Sequence, residues 1–421
     1  MNVGLVVPGF SADDADWCIP ALRHLARTLA STDDVRVIAV RYPYTSARYT
    51  VDGVEVIALG GSVRRGRQAL SVWRTALDVL RNEHRRLPFD VLHAFWATES
   101  GMLAAIAGRV LRVPTVVSLA GGELVALPAI GYGDQRSGWE RLKVAASLRL
   151  ASVVSAGSYQ LADHARRRLR ARTVYRLPLG VDLDLFTPGA TSRSGAPRLL
   201  HVGTLIGVKD QATLLRAFAL LRGHSPAATL DIVGDGPLRP QLERLASRLG
   251  VSDAVRLHGR VDHGALPPIY RAATAFVVSS QHEAQGMVAI EAAACGIPIV
   301  GTRVGVLPEL TSAVAPVGAD DALAERVAAV LADPATHARA ALDTARAEFG
   351  LDRSAARFRE LYASLSAVEQ PPHQAHDGDH DQQDQNAGGA AQRGAATAAA
   401  EAHHEAIVGP RRRSLQDSPS P

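Results

Sequence analysis

Short apolar runs rich in Val, Ile and Leu alternate with stretches of helical periodicity along most of the chain. Continuous apolar runs of this kind are typical of parallel strands that helices cover on both faces. Such runs occupy residues 3–8, 35–41, 54–59, 90–95, 114–119, 152–156, 173–177, 198–203, 229–234, 254–259, 274–279, 298–302 and 313–317. They form two series, so the pattern predicts an α/β protein with two Rossmann-like, doubly wound parallel-sheet domains.

The two series are separated by residues 186–197, FTPGATSRSGAP, whose Pro, Gly, Ser and Thr content predicts a linker. We therefore predict an N-terminal domain over 1–185 and a C-terminal domain over 198–350. Residues 351–366 show helical spacing and predict a final helix. From 367 to 421 the chain is rich in Gln, Asp, His, Ala, Gly and Pro, which predicts a disordered tail because little apolar surface is available to bury.

Composition narrows the class of protein. The 421 residues are 47% hydrophobic and 21% charged, as in an ordinary soluble protein. No apolar run approaches the ~20 residues that span a bilayer, and the initial VGLVVP indicates a strand rather than a signal peptide. Cys18 and Cys295 cannot make a disulfide framework. We expect a cytoplasmic protein with no nucleic-acid partner.

The most informative segment is SSQHEAQGMVAIEAAACGIPIV, residues 279–300. Glu283 lies in a loop beyond the carboxyl end of a predicted strand, where doubly wound folds bind ligands. The next helix opens with Gly286, Met287 and Val288. Free backbone N–H groups and the helix dipole favour a phosphate there. Glu291, inside that helix, can accept both hydroxyls of a ribose. A capping loop followed by an ordinary helix face would leave the same pattern.

Lysine is rare in this chain: Lys143 and Lys209 stand against 44 arginines. Lys209 follows a predicted strand in HVGTLIGVKD, residues 201–210. A compact ammonium in such a loop can stabilise the negative charge that develops on a leaving diphosphate. The alternative is a surface lysine with no such role.

The segment around the two glutamates resembles the E-x7-E signature of the retaining glycosyltransferase family 4, glycosyl transferases group 1. This sequence has Glu283-Ala-Gln285-Gly286 and then Glu291, departing only at the aromatic position of E-x-F-G. HVGTLIGVKD is similar to the family's G-R-L-x-x-x-K loop. Further similar segments are LPLGVDLDLFTP (177–188), IVGDGPLRPQL (232–242), LHGRVDHGALPPIY (257–270) and VGVLPEL (304–310).

The resemblance, which covers about residues 1–366, implies the GT-B fold: two facing Rossmann-like domains, a site in the cleft, and a last helix that crosses back to the N-terminal domain. It also implies a nucleotide diphosphate sugar donor, such as a UDP- or GDP-sugar, with Lys209 on the diphosphate, Glu283 on the transferred sugar and Glu291 on the ribose. No metal or other cofactor is implied. The acceptor would be a glycan, a lipid-linked molecule or a small molecule.

One departure concerns the donor. Thr204 stands where the family usually has an arginine, so another cation, Arg260 or Arg303, would have to replace it. Without a replacement, donor affinity or turnover would be reduced.

On the acceptor side, FDVLHAFWATESG (89–101) resembles the D-V-x-H-x-H strand, with Phe95 in place of the second histidine, and TVVSLAGGEL (115–124) resembles an H-G-x-E loop, with Ala120 in place of its histidine. The acceptor-side candidates are Gly9, His93, Gly121, Gly122 and Glu123. A buried histidine held by hydrogen bonds is the alternative for His93.

Other interpretations remain open at this point. A non-catalytic or weakened binding protein, a nucleotide-sugar epimerase or a phosphorylase could share the fold, although Lys209 suits diphosphate better than pyridoxal phosphate. Residues 64–86 combine arginines with Leu70, Trp73, Leu77 and Leu80 at helical spacing. Such a helix either packs on the sheet or lies on the inner face of an anionic membrane.

Overall fold

The computed structural model describes residues 1–61, 67–169, 173–189 and 195–369. Met1–Ser366 form one compact unit. We call the part with the first sheet the N-terminal lobe and the part with the second sheet the C-terminal lobe. The predicted tail, 367–421, lies outside the described residues except at 367–369. The predicted linker, 186–197, is described only at its two ends.

The N-terminal lobe is built on an eight-stranded sheet. Its strands are β1 (Asn2–Gly9), β2 (Asp34–Tyr42), β3 (Ser46–Val51), β4 (Val54–Leu59), β5 (Val91–Phe95), β6 (Thr115–Leu119), β7 (Val153–Ala156) and β8 (Val174–Arg176). They are ordered β3-β4-β2-β1-β5-β6-β7-β8, and all neighbours are parallel except β3 and β4.

The C-terminal lobe is built on a six-stranded parallel sheet ordered β11-β10-β9-β12-β13-β14. Its strands are β9 (Arg198–Val202), β10 (Thr229–Val233), β11 (Val255–Gly259), β12 (Ala275–Val278), β13 (Ile299–Thr302) and β14 (Val314–Ala315). The strand order reverses direction next to β9 and β12, so the loops after these two strands open a crevice at the carboxyl edge of the sheet.

Helices cover both sheets. They are α1 (Pro20–Ala30), α2 (Arg67–Arg86), α3 (Glu99–Leu111), α4 (Gly138–Leu150), α5 (Tyr159–Leu169), α6 (Gln211–His224), α7 (Arg239–Arg248), α8 (Leu266–Ala272), α9 (Met287–Ala294), α10 (Leu307–Leu310), α11 (Asp320–Ala332), α12 (Pro334–Glu348) and α13 (Leu351–Glu369). Both faces of the central strands are therefore covered: every residue of β5, β6 and β12 is buried. The predicted pair of Rossmann-like domains is confirmed.

Strand β3 is the exception to the sequence pattern. It pairs antiparallel with β4 at the edge of the sheet, and most of its residues are exposed. Because an edge strand with one solvated face needs no continuous apolar run, SARYTV carries no signal of a buried strand. The expectation of purely parallel sheets was wrong at this edge.

The last helix, α13, returns to the N-terminal lobe. The Arg359 guanidinium lies 2.8 Å from the Asp33 carboxylate, and the Tyr362 hydroxyl lies 2.6 Å from His93 Nδ1. Phe358 and Tyr362 are fully buried by this contact. The predicted crossing-back helix is therefore present, and its apolar face fastens the second half of the chain to the first.

Helix α2 packs against the N-terminal sheet through Val72, Ala76 and Leu80, which are buried. Leu70, predicted on the same apolar stripe, is half exposed. Over its described side chains α2 is a packed surface helix, and Arg64 and Arg65 lie outside the described residues. No helix in the described part of the chain is long and apolar enough to cross a bilayer.

Candidate functional site

Lys209 and Glu283 meet at the carboxyl edge of the C-terminal sheet, where Lys209 Nζ lies 2.6 Å from Glu283 Oε1. Lys209 ends a short helical turn after β9, and the next residue, Asp210, has φ +47° and caps α6. The two loops are tied together because the Ser279 hydroxyl donates to the Lys209 carbonyl at 2.8 Å. This tie holds the ammonium and the carboxylate side by side.

The Glu283 carboxylate is ionised in this setting. Burial by itself raises its pKa, but Lys209, the Ser280 hydroxyl and the nearby His282 outweigh burial and leave the pKa below its usual value. The Ser280 hydroxyl donates to Glu283 Oε1 at 2.6 Å. A fixed, charged acceptor suits hydrogen bonds from sugar hydroxyls.

Helix α9 begins directly beside this pair. Gly286 precedes the first helical residue, Met287, and has φ +98°, a backbone conformation that glycine adopts without a steric penalty. On the opposite side the loop is anchored to the N-terminal lobe: the Gln285 side chain accepts from Leu179 N and donates to Leu179 O, at 2.9 and 2.6 Å. The helix start therefore faces the space between the lobes.

That space is a cavity of about 260 Å³. The C-terminal lobe contributes Lys209, Glu283, Ala284, Gln285, Gly286, Met287 and Val288. The N-terminal lobe and the segment after it contribute Phe95, Ser118, Leu119, Ala120, Gly157, Leu177 and Leu179. One wall thus carries charge and backbone N–H groups, and the other is mainly apolar with one hydroxyl.

Glu291 lies behind the helix start and does not line the cavity. Its carboxylate is 5% exposed: Oε2 accepts from the Tyr270 hydroxyl at 2.8 Å, and Oε1 is 3.1 Å from His263 Nε2. The structure therefore places Glu291 on the helix whose start borders the cavity, with both carboxylate oxygens already hydrogen-bonded.

The other donor-side candidates lie apart from the cavity. Thr204, Arg260 and Arg303 are exposed, and none of them lines it. Among the described residues that do, Lys209 is the sole cation. Replacement of the family's arginine by Arg260 or Arg303 stays a prediction.

His93 is completely buried beneath the cavity. Its Nδ1 lies 2.6 Å from the Tyr362 hydroxyl and its Nε2 2.7 Å from the Ser118 hydroxyl. Burial lowers its pKa to about 3, so the ring is neutral. The expected contact between His93 and an acceptor is therefore corrected. Both imidazole nitrogens are hydrogen-bonded to side-chain hydroxyls, and Ser118 is the residue that lines the cavity.

The glycine-rich loop after β6 is organised around Glu123, which is fully buried. Glu123 accepts from the backbone N–H groups of Ala120 and Gly121, at 3.0 and 2.7 Å. Burial raises the pKa of Glu123 despite these bonds. The carboxyl group therefore shapes the loop from inside and does not face the cavity.

The three glycines predicted on the acceptor side lie so close to other residues that a side chain would not fit. A Cβ on Gly121 would lie 2.7 Å from Trp96 Nε1, and one on Gly122 would lie 2.9 Å from the Tyr132 ring. Gly9 is buried at the end of β1, where a Cβ would lie 3.0 Å from Tyr42 Cβ. The Gly121 carbonyl lies 3.1 Å from His282 Nε2 of the other lobe, so this loop borders the cleft.

Sequence reasoning missed Ser118 and its neighbour Ser155, whose hydroxyl oxygens lie 2.5 Å apart. A signal existed: each is a serine inside a short and mainly apolar strand, TVVSL and VVSA. Among the described residues, no group of three or more His, Cys, Asp or Glu side chains is placed to hold a metal ion.

Comparison with known proteins covers both lobes. The family Glycosyl transferases group 1 matches residues 188–347, and the family Glycosyl transferase 4-like domain matches residues 19–180. A D-inositol 3-phosphate glycosyltransferase of Nocardiopsis dassonvillei is 32% identical over 325 residues, 69% of this chain and 74% of the relative. Another, of Streptomyces avermitilis, is 31% identical over 326 residues, 70% of this chain and 69% of the relative.

Solved structures share the fold at lower identity. Sucrose-phosphate synthase from Thermosynechococcus elongatus superposes with a TM-score of 0.69 at 22% identity, covering 88% of this chain and 100% of that one. Anabaena HepE, solved with UDP and glucose, superposes with a TM-score of 0.67 at 19% identity, covering 86% and 100%. Together with the two matched families and the relatives above 30% identity, these observations show that the chain belongs to the retaining family 4 glycosyltransferases of the GT-B fold.

Proposed function

We propose that this glycosyltransferase takes a sugar from a nucleotide diphosphate donor, UDP- or GDP-linked, and passes it to an uncharged hydroxyl acceptor. The observation that carries the proposal is the Lys209–Glu283 pair at the start of α9, inside the cavity between the lobes. In the proposed roles Lys209 and the N–H groups at 286–288 hold the diphosphate. Glu283 accepts hydrogen bonds from the sugar, and Glu291 holds the ribose.

The proposed mechanism delivers the acceptor to the face from which the diphosphate leaves. Charge grows on the departing phosphate as the glycosidic bond breaks, and preorganised donors lower the barrier most where charge develops. The leaving phosphate then takes the acceptor proton. A double displacement would instead need a carboxylate nucleophile. Glu283 is the sole carboxylate among the described cavity residues, and it is already bound to Lys209 and Ser280.

The proposed acceptor follows from the opposite wall. Phe95, Leu119 and Ala120 are apolar and Ser118 offers one hydroxyl, so among the described N-terminal residues of the cavity none is a cation. The curated relatives are named D-inositol 3-phosphate glycosyltransferases. A phosphorylated inositol would require a positive partner that this wall lacks. We therefore favour the hydroxyl of a glycan or a lipid-linked sugar.

The test is a two-stage screen of the purified full chain. Thermal shift with UDP-, GDP- and ADP-sugars identifies the donor, because a ligand at ~100 times its Kd adds about 2.7 kcal/mol of stability. Transfer to inositol, D-inositol 3-phosphate, glycans and lipid-linked sugars is then measured with that donor, with and without EDTA. We expect transfer with retained configuration, insensitivity to EDTA and poor use of inositol 3-phosphate.

The screen also separates the alternatives. Conversion of the nucleotide sugar with no acceptor present would indicate an epimerase. Binding without transfer to any acceptor would indicate a protein that has lost turnover. Efficient transfer to D-inositol 3-phosphate would contradict the uncharged acceptor and leave the donor proposal intact.

We also propose that the protein binds peripherally to the inner face of an anionic membrane, which suits a lipid-linked acceptor. Trp73 of α2 stacks on Trp139 of α4 with ring centroids 6.0 Å apart. The neighbouring Leu70 and Leu142 are exposed, as is Trp139. Exposed guanidinium groups lie beside these residues on the same two helices, at Arg74 and Arg141. Tryptophan and arginine together favour a headgroup region.

Vesicle sedimentation tests this contact at low salt. Vesicles with anionic lipid should sediment the wild type, and neutral vesicles should not, because arginine binding to the surface is electrostatic. The double change Trp139→Glu with Leu142→Glu should abolish sedimentation. The matched double change Leu220→Glu with Val317→Glu, at exposed apolar positions of the other lobe, should leave it unchanged. Equal loss in both variants, or none in either, contradicts the assigned surface.

A further inference from the structure

Three aromatic side chains meet where the two lobes approach each other near Glu291. The ring centroids of Trp17 and His24 lie 5.4 Å apart, those of Trp17 and His263 lie 5.3 Å apart, and those of His24 and His263 lie 5.6 Å apart. Trp17 and His24 belong to the N-terminal lobe, just before and on α1, and His263 belongs to the loop after β11. We call these three residues the ring cluster. It connects the lobes outside the cavity.

The ring cluster contacts Glu291, the carboxylate predicted to bind the ribose. His263 Nε2 lies 3.1 Å from Glu291 Oε1, and the Tyr270 hydroxyl donates to Oε2 at 2.8 Å. Because Glu291 is nearly buried, these two partners decide its orientation. Phe186 packs edge-on against His263, with centroids 5.2 Å apart. The imidazole is therefore enclosed by rings from both lobes and cannot turn away without disturbing them.

Both histidines of the ring cluster keep a buried nitrogen with no hydrogen-bond partner among the described residues: His24 Nε2 and His263 Nδ1. Burial, followed by His263 and Arg27, lowers the pKa of His24 to about 4, against the opposing effect of Asp182 and Glu291. An unpaired buried polar atom destabilises the folded chain. Phenylalanine would pack the same space without that cost, so the arrangement is poor as packing alone.

We propose that His263 is a positioning residue for Glu291 and that Trp17 and His24 brace it, so that the N-terminal lobe sets the affinity for the donor nucleotide. The proposal rests on the proposed function, since it takes Glu291 as the ribose-binding carboxylate. A carboxylate fixed before the ligand arrives binds two hydroxyls with less loss of freedom.

The test measures UDP and GDP binding by calorimetry on the full chain. His263→Phe keeps a ring but loses the donor to Glu291, and His263→Gln keeps a donor but loses the ring. Trp17→Ala removes the brace from the other lobe. His263→Phe should raise the Kd of the bound nucleotide about tenfold, the loss of one hydrogen bond to a charged group. His263→Gln should recover part of that loss, and Trp17→Ala should raise the Kd severalfold.

Trp139→Ala is the matched control, because Trp139 also packs against an aromatic ring, that of Trp73, but within the N-terminal lobe; the nucleotide Kd of this variant should equal that of the wild type. In steady state the cluster variants should raise the donor KM more than they lower kcat. If His263→Phe and Trp17→Ala lower the Tm but leave the nucleotide Kd unchanged, the further inference is overturned and the proposed function is unaffected. A wild type that binds neither nucleotide would overturn the proposed function and the inference with it.

Discussion

Glu283 and Lys209 depend on each other at the scale of single residues. The carboxylate stays ionised in a nearly buried place because the ammonium lies 2.6 Å away. The ammonium in turn is the sole cation among the described residues of the cavity. A diphosphate that binds Lys209 would share it with Glu283, so the pair links the charge of the leaving group to the hold on the sugar.

Glu283→Gln removes the charge and nearly preserves the shape. We expect the transfer rate to fall about 10²–10³-fold, the effect of losing one preorganised electrostatic group. The nucleotide Kd should change much less, because Glu283 is assigned to the sugar. Single-turnover rates and calorimetry with UDP or GDP check both numbers. Ser280→Ala, which removes one hydrogen bond to Glu283, should show a smaller loss of the same kind; equal losses of rate and nucleotide affinity in Glu283→Gln would refute the assigned role.

His93 makes stability depend on pH. Its pKa is lowered to about 3 in the folded chain, against about 6.5 when unfolded. The unfolded chain therefore takes up a proton first as the pH falls below 6.5, and the stability due to neutral His93 is lost from there toward pH 3.

His93→Phe should be less stable than the wild type at pH 7, because Tyr362 and Ser118 lose a partner. Between pH 6.5 and 4 the gap should narrow by up to about 1.4 kcal/mol per pH unit. Urea unfolding at several pH values measures it. A gap that stays constant across this range would show that His93 is not kept neutral by burial.

At the scale of elements, the start of α9 depends on a glycine in a different loop. Gly305 has φ +54°, and a Cβ there would collide with the Gln285 carbonyl and lie 2.9 Å from Glu283 Cβ. The loop that carries Glu283 can therefore lie against the loop after β13 only if residue 305 has no side chain.

Gly305→Ala should displace Glu283 and reduce transfer at least tenfold, while Gly318→Ala should leave transfer unchanged. Gly318 is the matched control because it has φ +77° with open space around it, so alanine there meets only the backbone strain of about 1 kcal/mol. Activity and Tm are compared for the two variants. Equal activity in both would mean that the close approach at 305 does not position the glutamate.

At the scale of the whole molecule, the second half of the chain is fastened to the first through α13. Phe358, Leu361 and Tyr362 of this helix are buried, and burial of each such side chain stabilises the fold by about 1.5–3 kcal/mol. Truncation after Glu369 should leave Tm and donor binding unchanged, as expected for the predicted disordered tail. Truncation after Gly350 should prevent stable folding. Calorimetric unfolding of both truncated chains checks this, and a large fall in Tm for the longer one would refute the prediction about the tail.

The sequence by itself determined the two α/β lobes, because continuous apolar runs that alternate with helices are typical of parallel strands covered on both faces. It also singled out Glu283 and Lys209 through their positions after such runs. It could not reveal β3, whose exposed edge position carries no apolar signal.

Only the tertiary structure decided what each polar group faces. It turned His93 toward Tyr362, enclosed Glu123 within its own loop and left Arg260 and Arg303 outside the cavity. It brought Ser118 to the cavity and His263 onto Glu291. The physical reason is that the periodicity of a strand or helix determines only on which face of that element a side chain lies. Which residues far apart in the chain come into contact depends on how the two lobes pack.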